Sequence, residues 1–168
     1  VKNIVLIGFM STGKSSVSRR LGELLALRKI DTDDVIEKRF GMKTSQIFAK
    51  FGQEQFRDAE SQILRELSET RDTVISCGGG IILRPENRRC LKECGTVFLL
   101  TAEPETVLDR LGKDHSRPLL DGGDREELIR RLMNERKNLY REAADHCVAT
   151  DSRSIDDICR EIIAWGER

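Results

Sequence analysis

Short, unbroken apolar runs alternate along this chain with longer stretches in which apolar residues return every three or four positions. The runs lie in KNIVLIG (2–8), TVISC (73–77) and TVFLL (96–100). Continuous apolar segments of that length predict strands covered on both faces. HCVAT (146–150) is a candidate last strand. LRKIDTD (27–33) predicts a further short, extended strand. Between them, helical spacing is carried by Val17, Leu21, Leu24 and Leu25, then by Ile47, Phe48 and Phe51, then by Phe56, Ala59, Ile63 and Leu67. Polar helical sequence follows around residues 86–93, and AEPETVLDRL (102–111) starts another helix with Pro104 in its first turn. Leu128, Leu132, Met133 and Leu139 mark the next helix, and Ile158, Ile162 and Trp165 the last, with Ser154 and Asp157 as a capping pair. GKDHSRPLLDGGD (112–124), with its proline, paired glycines and charges, reads as a mobile loop.

Strands and helices in strict alternation predict an α/β fold with a mostly parallel sheet and right-handed crossovers. At 168 residues, with no Pro/Gly/Ser linker and no repeat, the chain is read as one domain, residues 1–168. Ligands of such sheets bind at the carboxyl ends of the strands, where the motifs below fall.

Charge narrows the classes of partner. Lys+Arg and Asp+Glu number 29 each, so the formal net charge is zero. That balance gives no reason to expect nucleic acid or an anionic membrane as partner. The five cysteines, Cys77, Cys90, Cys94, Cys147 and Cys159, are odd in number and form no CxxC. They read as reduced core thiols of a cytoplasmic protein. Two histidines argue against a His/Cys zinc site. The N-terminal VKNIVLIGFM is too short for a secretory signal or a membrane span and runs directly into a motif.

That motif is Gly8-Phe9-Met10-Ser11-Thr12-Gly13-Lys14-Ser15, GxxxxGKS between a predicted strand and a predicted helix. Backbone N–H groups of such a loop wrap a phosphate, and the helix N-terminus adds positive partial charge. Lys14 is expected to reach the β- and γ-phosphates of a nucleoside triphosphate and Ser15 to ligate Mg²⁺. TVISC and TVFLL end without the usual metal-side acid, so the acids are sought in IDTDD. In an extended segment Asp31 and Asp33 project to one side and Asp34 to the other.

An acceptor pocket is expected beside the γ-phosphate. Arg57, opening an amphipathic helix, and Arg136, among Leu132, Met133 and Leu139, are its candidate guanidinium groups, suited to a two-point grip on a carboxylate. A surface ion pair is the ordinary alternative for either. Gly78, Gly79 and Gly80 close a buried strand. With no Cβ they are read as a backbone floor for a small hydroxyl-rich acceptor, offering N–H groups directly. Arg117, in the lid-like loop, is placed to neutralise the transferring phosphoryl group, with His115 beside it as an exposed loop residue.

Taken together, GFMSTGKSS (8–16), DTD (31–33), FR (56–57), GGG (78–80), RPLL (117–120) and RKNLYR (136–141) resemble, in order, the shikimate kinase family. The resemblance covers nearly the whole chain. It implies a three-layer P-loop kinase fold like that of nucleoside monophosphate kinases, with a five-stranded parallel sheet, an acceptor-binding region around 32–60 and a lid around 112–124. The implied activity is Mg²⁺-dependent transfer of the ATP γ-phosphate to the 3-hydroxyl of shikimate, on the route to chorismate and the aromatic amino acids. Carried over by position, Asp33 holds the reacting hydroxyl, Arg57 and Arg136 grip the carboxylate, and Gly79 contacts the ring hydroxyls, flanked by Gly78 and Gly80. Ser11 to Ser16, that is Ser11, Thr12, Gly13, Lys14, Ser15 and Ser16, bind ATP together with Arg117, and Arg110 and Arg153 lie near the adenine. Ser15 ligates the metal, with Asp31 acting through water. Ser11 stands where glycine is frequent in the family's loop. A cytoplasmic monomer is expected. A related kinase of gluconate or a nucleoside monophosphate, and a non-catalytic ATP-binding module, are the alternative readings.

Overall fold

The computed structural model describes residues 2–112 and 124–166. Five strands, β1 (Asn3–Ile7), β2 (Arg28–Asp31), β3 (Thr73–Ser76), β4 (Gly95–Thr101) and β5 (His146–Ala149), form one sheet in the order β2-β3-β1-β4-β5. All four pairings are parallel. Helix α1 (Lys14–Leu25) links β1 to β2, and α2 (Thr32–Phe40), α3 (Thr44–Phe51) and α4 (Gln53–Leu67) lead from β2 to β3. A 3-10 turn (Ile81–Leu83) and α5 (Pro85–Cys94) precede β4, α6 (Pro104–Leu111) and α7 (Arg125–Ala143) precede β5, and α8 (Ile155–Gly166) ends the chain.

The unbroken apolar runs have a direct cause. Successive residues of a strand face opposite ways, and both faces of this sheet are covered. Val5 and Ile7 of β1, Ile75 of β3, and Val97 and Leu99 of β4 join one core with Ile63 and Leu64 of α4 and Ile129 of α7. Leu6, Val74, Phe98 and Leu100 face the other core, built on Val17 and Leu21 of α1 and Ile158 and Ile162 of α8. Leu24 departs from the expected stripe: it is 45 % exposed, one position beyond the face that Leu21 buries. Cys147 also departs from the core-thiol reading, because it lies on the outer strand β5 and is exposed. Cys77, Cys94 and Cys159 are buried as free thiols. Pro104 occupies the first turn of α6, and the Ser154 hydroxyl accepts a hydrogen bond from the Asp157 N–H at the start of α8. Among the described residues no helix is long and apolar enough to cross a membrane.

β1 is central, and the chain builds outward from it first toward β2 and then toward β5. The turn after β1 therefore opens at the point where the connections diverge, the crevice such sheets use for ligands. At the opposite end the sheet is tied by one side chain. Asn3, fully buried, donates from Nδ2 to the Thr70 carbonyl, the Thr70 hydroxyl and the Cys94 carbonyl, each at 3.0 Å, and accepts from the Thr73 N–H at 3.0 Å. This pins the starts of β1 and β3 to the end of α5. Removing the amide leaves buried partners unsatisfied, at about 1–3 kcal/mol each where water cannot replace it. Asn3→Ala is thus expected to lower the unfolding free energy by roughly 2–4 kcal/mol, read by denaturant titration. A loss below about 1 kcal/mol would remove the role given to it here.

Candidate active site

The turn between β1 and α1 has the geometry of a phosphate cradle. Ser11, Gly13 and Gly8 have φ of 60°, 103° and 151°, so the loop coils tightly around its own N–H groups. Ser11 adopts the left-handed conformation, the physical reason glycine suits that position. Gly8 is required by contact as well: a Cβ there would lie 2.5 Å from the Leu100 carbonyl oxygen. Helix α1 begins at Lys14 with no side-chain cap and no acid in its first turn, so its end is left for an anion. The Lys14 ammonium donates to the Gly8 and Phe9 carbonyls at 2.7 and 2.8 Å, stitching the loop across its mouth. Thr12 is buried beneath the loop with its hydroxyl on the Phe9 carbonyl at 2.8 Å.

A cavity of about 260 Å³ opens above this loop. Its lining includes Ser11, Gly13, Lys14, Ser15, Ser16, Asp31, Asp33, Gly78 and Gly79. Asp31 and Asp33 meet there by a route other than an extended segment. The strand stops at Asp31, which caps α2 by accepting from the N–H groups of Asp33 and Asp34 at 2.9 and 3.2 Å, so Asp33 lies in the first helical turn. Burial pushes the Asp31 carboxyl above its ordinary range, with Asp34 adding to the effect and the Lys14 charge opposing it. The Ser15, Asp31 and Asp33 oxygens fit a hard oxygen-seeking cation such as Mg²⁺, which keeps several waters and takes few protein ligands. No group of three or more His, Cys, Asp and Glu suited to a metal occurs among the described residues.

Next to it lies a second cavity of about 80 Å³, lined by Met10, Asp33, Thr44, Phe48, Phe56, Arg57, Glu60, Gly78, Gly79, Gly80 and Arg136. Arg57 and Arg136 are 8 % and 6 % exposed, which answers the surface-pair alternative: both guanidinium groups are held inside. The Arg57 Nη1 donates to Glu60 Oε1 at 2.7 Å, and its guanidinium lies 5.5 Å from the Phe56 ring centroid and 6.0 Å from that of Phe48. Glu60 is fully buried, and burial pushes its carboxyl up to about 7 against the opposing charges of Arg57 and Arg136. Its Oε2 and the Arg57 Nε have no hydrogen-bond partner among the described residues.

All three glycines line this cavity, and one of them departs from the expected floor. The Gly78 N–H is not offered to a ligand, since it donates to the Thr32 hydroxyl at 3.0 Å. What glycine supplies here is room. A Cβ at Gly78 would sit 2.5 Å from Asp33 Oδ1, and one at Gly80 would sit 2.5 Å from Arg57 Nη2. The two functional side chains lie flat against the strand end because no side chain stands there.

The cavities share a wall of Met10, Asp33, Gly78 and Gly79. Lys14, Ser15 and Asp31 thus face one side of Asp33, with Arg57 and Arg136 on the other. Arg110 and Arg153 lie apart from both. Arg110 donates to the Ser11 carbonyl at 3.0 Å and to the Thr150 carbonyl at 3.0 Å, and Arg153 to the Ala149 carbonyl at 2.8 Å and Glu161 at 3.0 Å. Arg117, His115 and residues 113–123 of the expected lid lie outside the described residues. Glu60 and Tyr140 escaped the sequence reading. The acid three residues after Arg57, on the helix face of Phe56 and Ile63, was the available signal for Glu60.

The chain matches the family model described as shikimate kinase over residues 10–167. It is 48 % identical over 163 residues to the shikimate kinase of Pelotomaculum thermopropionicum, covering 97 % of this chain and 94 % of that one. With the shikimate kinase of Thermodesulfovibrio yellowstonii the identity is 42 % over 168 residues, covering 100 % and 96 %. Among solved structures, a shikimate kinase from Acinetobacter baumannii in complex with shikimate is similar at a TM-score of 0.95 and 36 % identity, covering 99 % of this chain and 93 % of that one. A P-loop, two buried arginines across a shared wall from it, and full-length similarity agree: the chain belongs to the shikimate kinase family.

Proposed function

We propose that this protein transfers the γ-phosphate of ATP to the 3-hydroxyl of shikimate, giving shikimate 3-phosphate and ADP in the biosynthesis of chorismate and the aromatic amino acids. The observation that carries the reading is the common wall: Asp33, Gly78, Gly79 and Met10 line both the P-loop cavity and the two-arginine cavity. Phosphoryl transfer is mainly a matter of in-line placement and charge neutralisation, and a donor and an acceptor bound on either side of Asp33 are placed for it.

The roles are assigned as follows. The P-loop N–H groups, Ser11 to Ser16 and the α1 terminus hold the triphosphate, with Lys14 as fixed positive charge. Arg110, which donates to the Ser11 carbonyl of that loop, and Arg153 serve the adenine end, and Arg117 contacts the ATP phosphates. Ser15 directly, and Asp31 through water, would hold Mg²⁺, which when bound neutralises charge on the phosphate oxygens. Arg57 and Arg136 take the acceptor carboxylate, Gly79 and Gly80 border its ring, and Asp33 orients the attacking hydroxyl and receives its proton. Residues 32–60 form the acceptor-binding region of a single domain, and the protein works as a cytoplasmic monomer on small molecules.

Coupled measurement of ADP release is expected to show turnover that requires shikimate and is lost in EDTA. Gluconate, AMP or CMP supporting faster turnover, or ADP release indifferent to any acceptor, would overturn the reading. Arg57→Ala is expected to raise the shikimate KM strongly, a loss of ~2–4 kcal/mol in transition-state stabilisation, with the ATP KM little changed. An unaltered shikimate KM would remove Arg57 from the carboxylate.

Glu60 gives the pocket a pH dependence. In the free protein it takes up its proton near pH 7, and the protonated form leaves one positive charge more for an anionic acceptor. Shikimate binding should therefore be tightest below pH 7 and weaken, roughly three- to tenfold, as pH rises through that value. Calorimetric titration without nucleotide from pH 5.5 to 8.5 reads this directly. In Glu60→Gln the dependence should flatten, and an equal slope in both proteins would rule Glu60 out as its source.

A further inference from the structure

Tyr140 is the single tyrosine of the chain. It lies on α7 one helical turn after Arg136, is 5 % exposed, and donates from its hydroxyl to the Gly79 carbonyl at 2.6 Å. No other hydrogen bond joins α7 to the glycine run among the described residues. Gly79 lies between the P-loop and this phenol: a Cβ placed on it would be in ordinary contact with the Gly8 carbonyl oxygen, the Met10 nitrogen and the Tyr140 hydroxyl, each at 3.7 Å.

The geometry of the peptide unit gives that bond a consequence for the ligand. A trans peptide is planar, and its C=O and N–H point in opposite directions. Holding the Gly79 carbonyl toward α7 turns the Gly80 N–H the other way. The neighbouring amides are already committed or directed elsewhere: Gly78 N–H donates to Thr32, and the N–H groups of Ile81 and Leu83 donate to the Gly78 and Gly80 carbonyls. The Gly80 N–H has no acceptor among the described residues, and Gly80 lines the two-arginine cavity. A glycine peptide without such a tether is free to rotate, because no Cβ restricts it.

We infer that Tyr140 is a positioning residue for the phosphoryl acceptor: by holding the Gly79 carbonyl it fixes the Gly79–Gly80 peptide so that the Gly80 N–H is presented to a hydroxyl of the acceptor. Burial favours the neutral phenol, pushed up to about 12, so the donor is retained across the working pH range. The inference rests on the acceptor reading of the two-arginine cavity.

The test uses the full-length protein with shikimate and ATP as probes. Tyr140→Phe is expected to raise the shikimate KM roughly five- to twentyfold, while the ATP KM stays within about twofold. A purely structural phenol would lower the thermal midpoint and leave this split absent. Because Tyr140 is the only tyrosine, growth on 3,5-difluorotyrosine replaces this phenol alone with a more acidic one, in a side chain of nearly the same shape. Its ionisation removes the donor, so a new alkaline rise in shikimate KM is expected that unlabelled protein lacks, again with the ATP KM flat. If neither replacement separates the two KM values while Arg57→Ala still raises the shikimate KM, the positioning role is wrong and the acceptor cavity stands. If Arg57→Ala is also silent, the cavity reading fails first, and with it this inference.

Discussion

The arrangement of the site depends on a buried ion pair. Arg57 and Glu60 hold opposite charges 2.7 Å apart in a place where neither meets bulk solvent freely. Taking either charge out of water alone costs several kcal/mol, about 3–5 kcal/mol when a partner is removed, so the Glu60 carboxylate in particular is held there by the guanidinium. The neighbourhood is built to the same end. Phe48 and Phe56 flank the guanidinium, Gly80 clears space for it, and Arg136 and Asp33 bring a second pair of opposite charges to the same cavity. The Arg57 Nε has no hydrogen-bond partner among the described residues, a donor still available to a second anion.

Two cavities with a common wall turn this anchoring into chemistry. The smaller cavity carries Asp33, Arg57, Glu60 and Arg136, and the larger one the P-loop hydroxyls with Lys14, Asp31 and Asp33. The Gly78 N–H bond to Thr32 fastens the end of β3 to the start of α2, the helix that carries Asp33. Asp33 is thereby tied to β3, beside the central strand, instead of riding on a loop. Lys14, bonded to the carbonyls of its own loop, holds the other side of the wall in shape.

Much of this was legible from the residues in order, and the reasons are local. Strands of a sheet covered on both faces must be apolar throughout, so β1, β3 and β4 announce themselves. The P-loop is contiguous, and a tight turn needs its glycines wherever it occurs. What could not be read depends on residues far apart in the chain. The room that Gly78 and Gly80 leave for Asp33 and Arg57 has no trace in the order of residues, because those side chains come from α2 and α4 and meet the glycines only after folding. Tyr140 has an unremarkable place in a helical heptad until α7 lies beside the strand end. Asp31 and Asp33 line one cavity as expected, but through a helix cap, since the extended backbone ends at Asp31, two residues earlier than the alternation assumed. Leu24 was misjudged because four apolar residues in two turns make a stripe wider than the face α1 actually buries.

The ends of the sheet have a bearing on how the molecule behaves among its own copies. β2 and β5 are the outer strands, each four residues long, and β2 opens on exposed Arg28 and Lys29. A neighbour approaching either rim finds few unpaired backbone groups, and at β2 it finds two cations as well, which disfavours adding strands across molecules. The interior of the sheet can therefore be as apolar as its double covering demands without making the protein prone to aggregate through its borders.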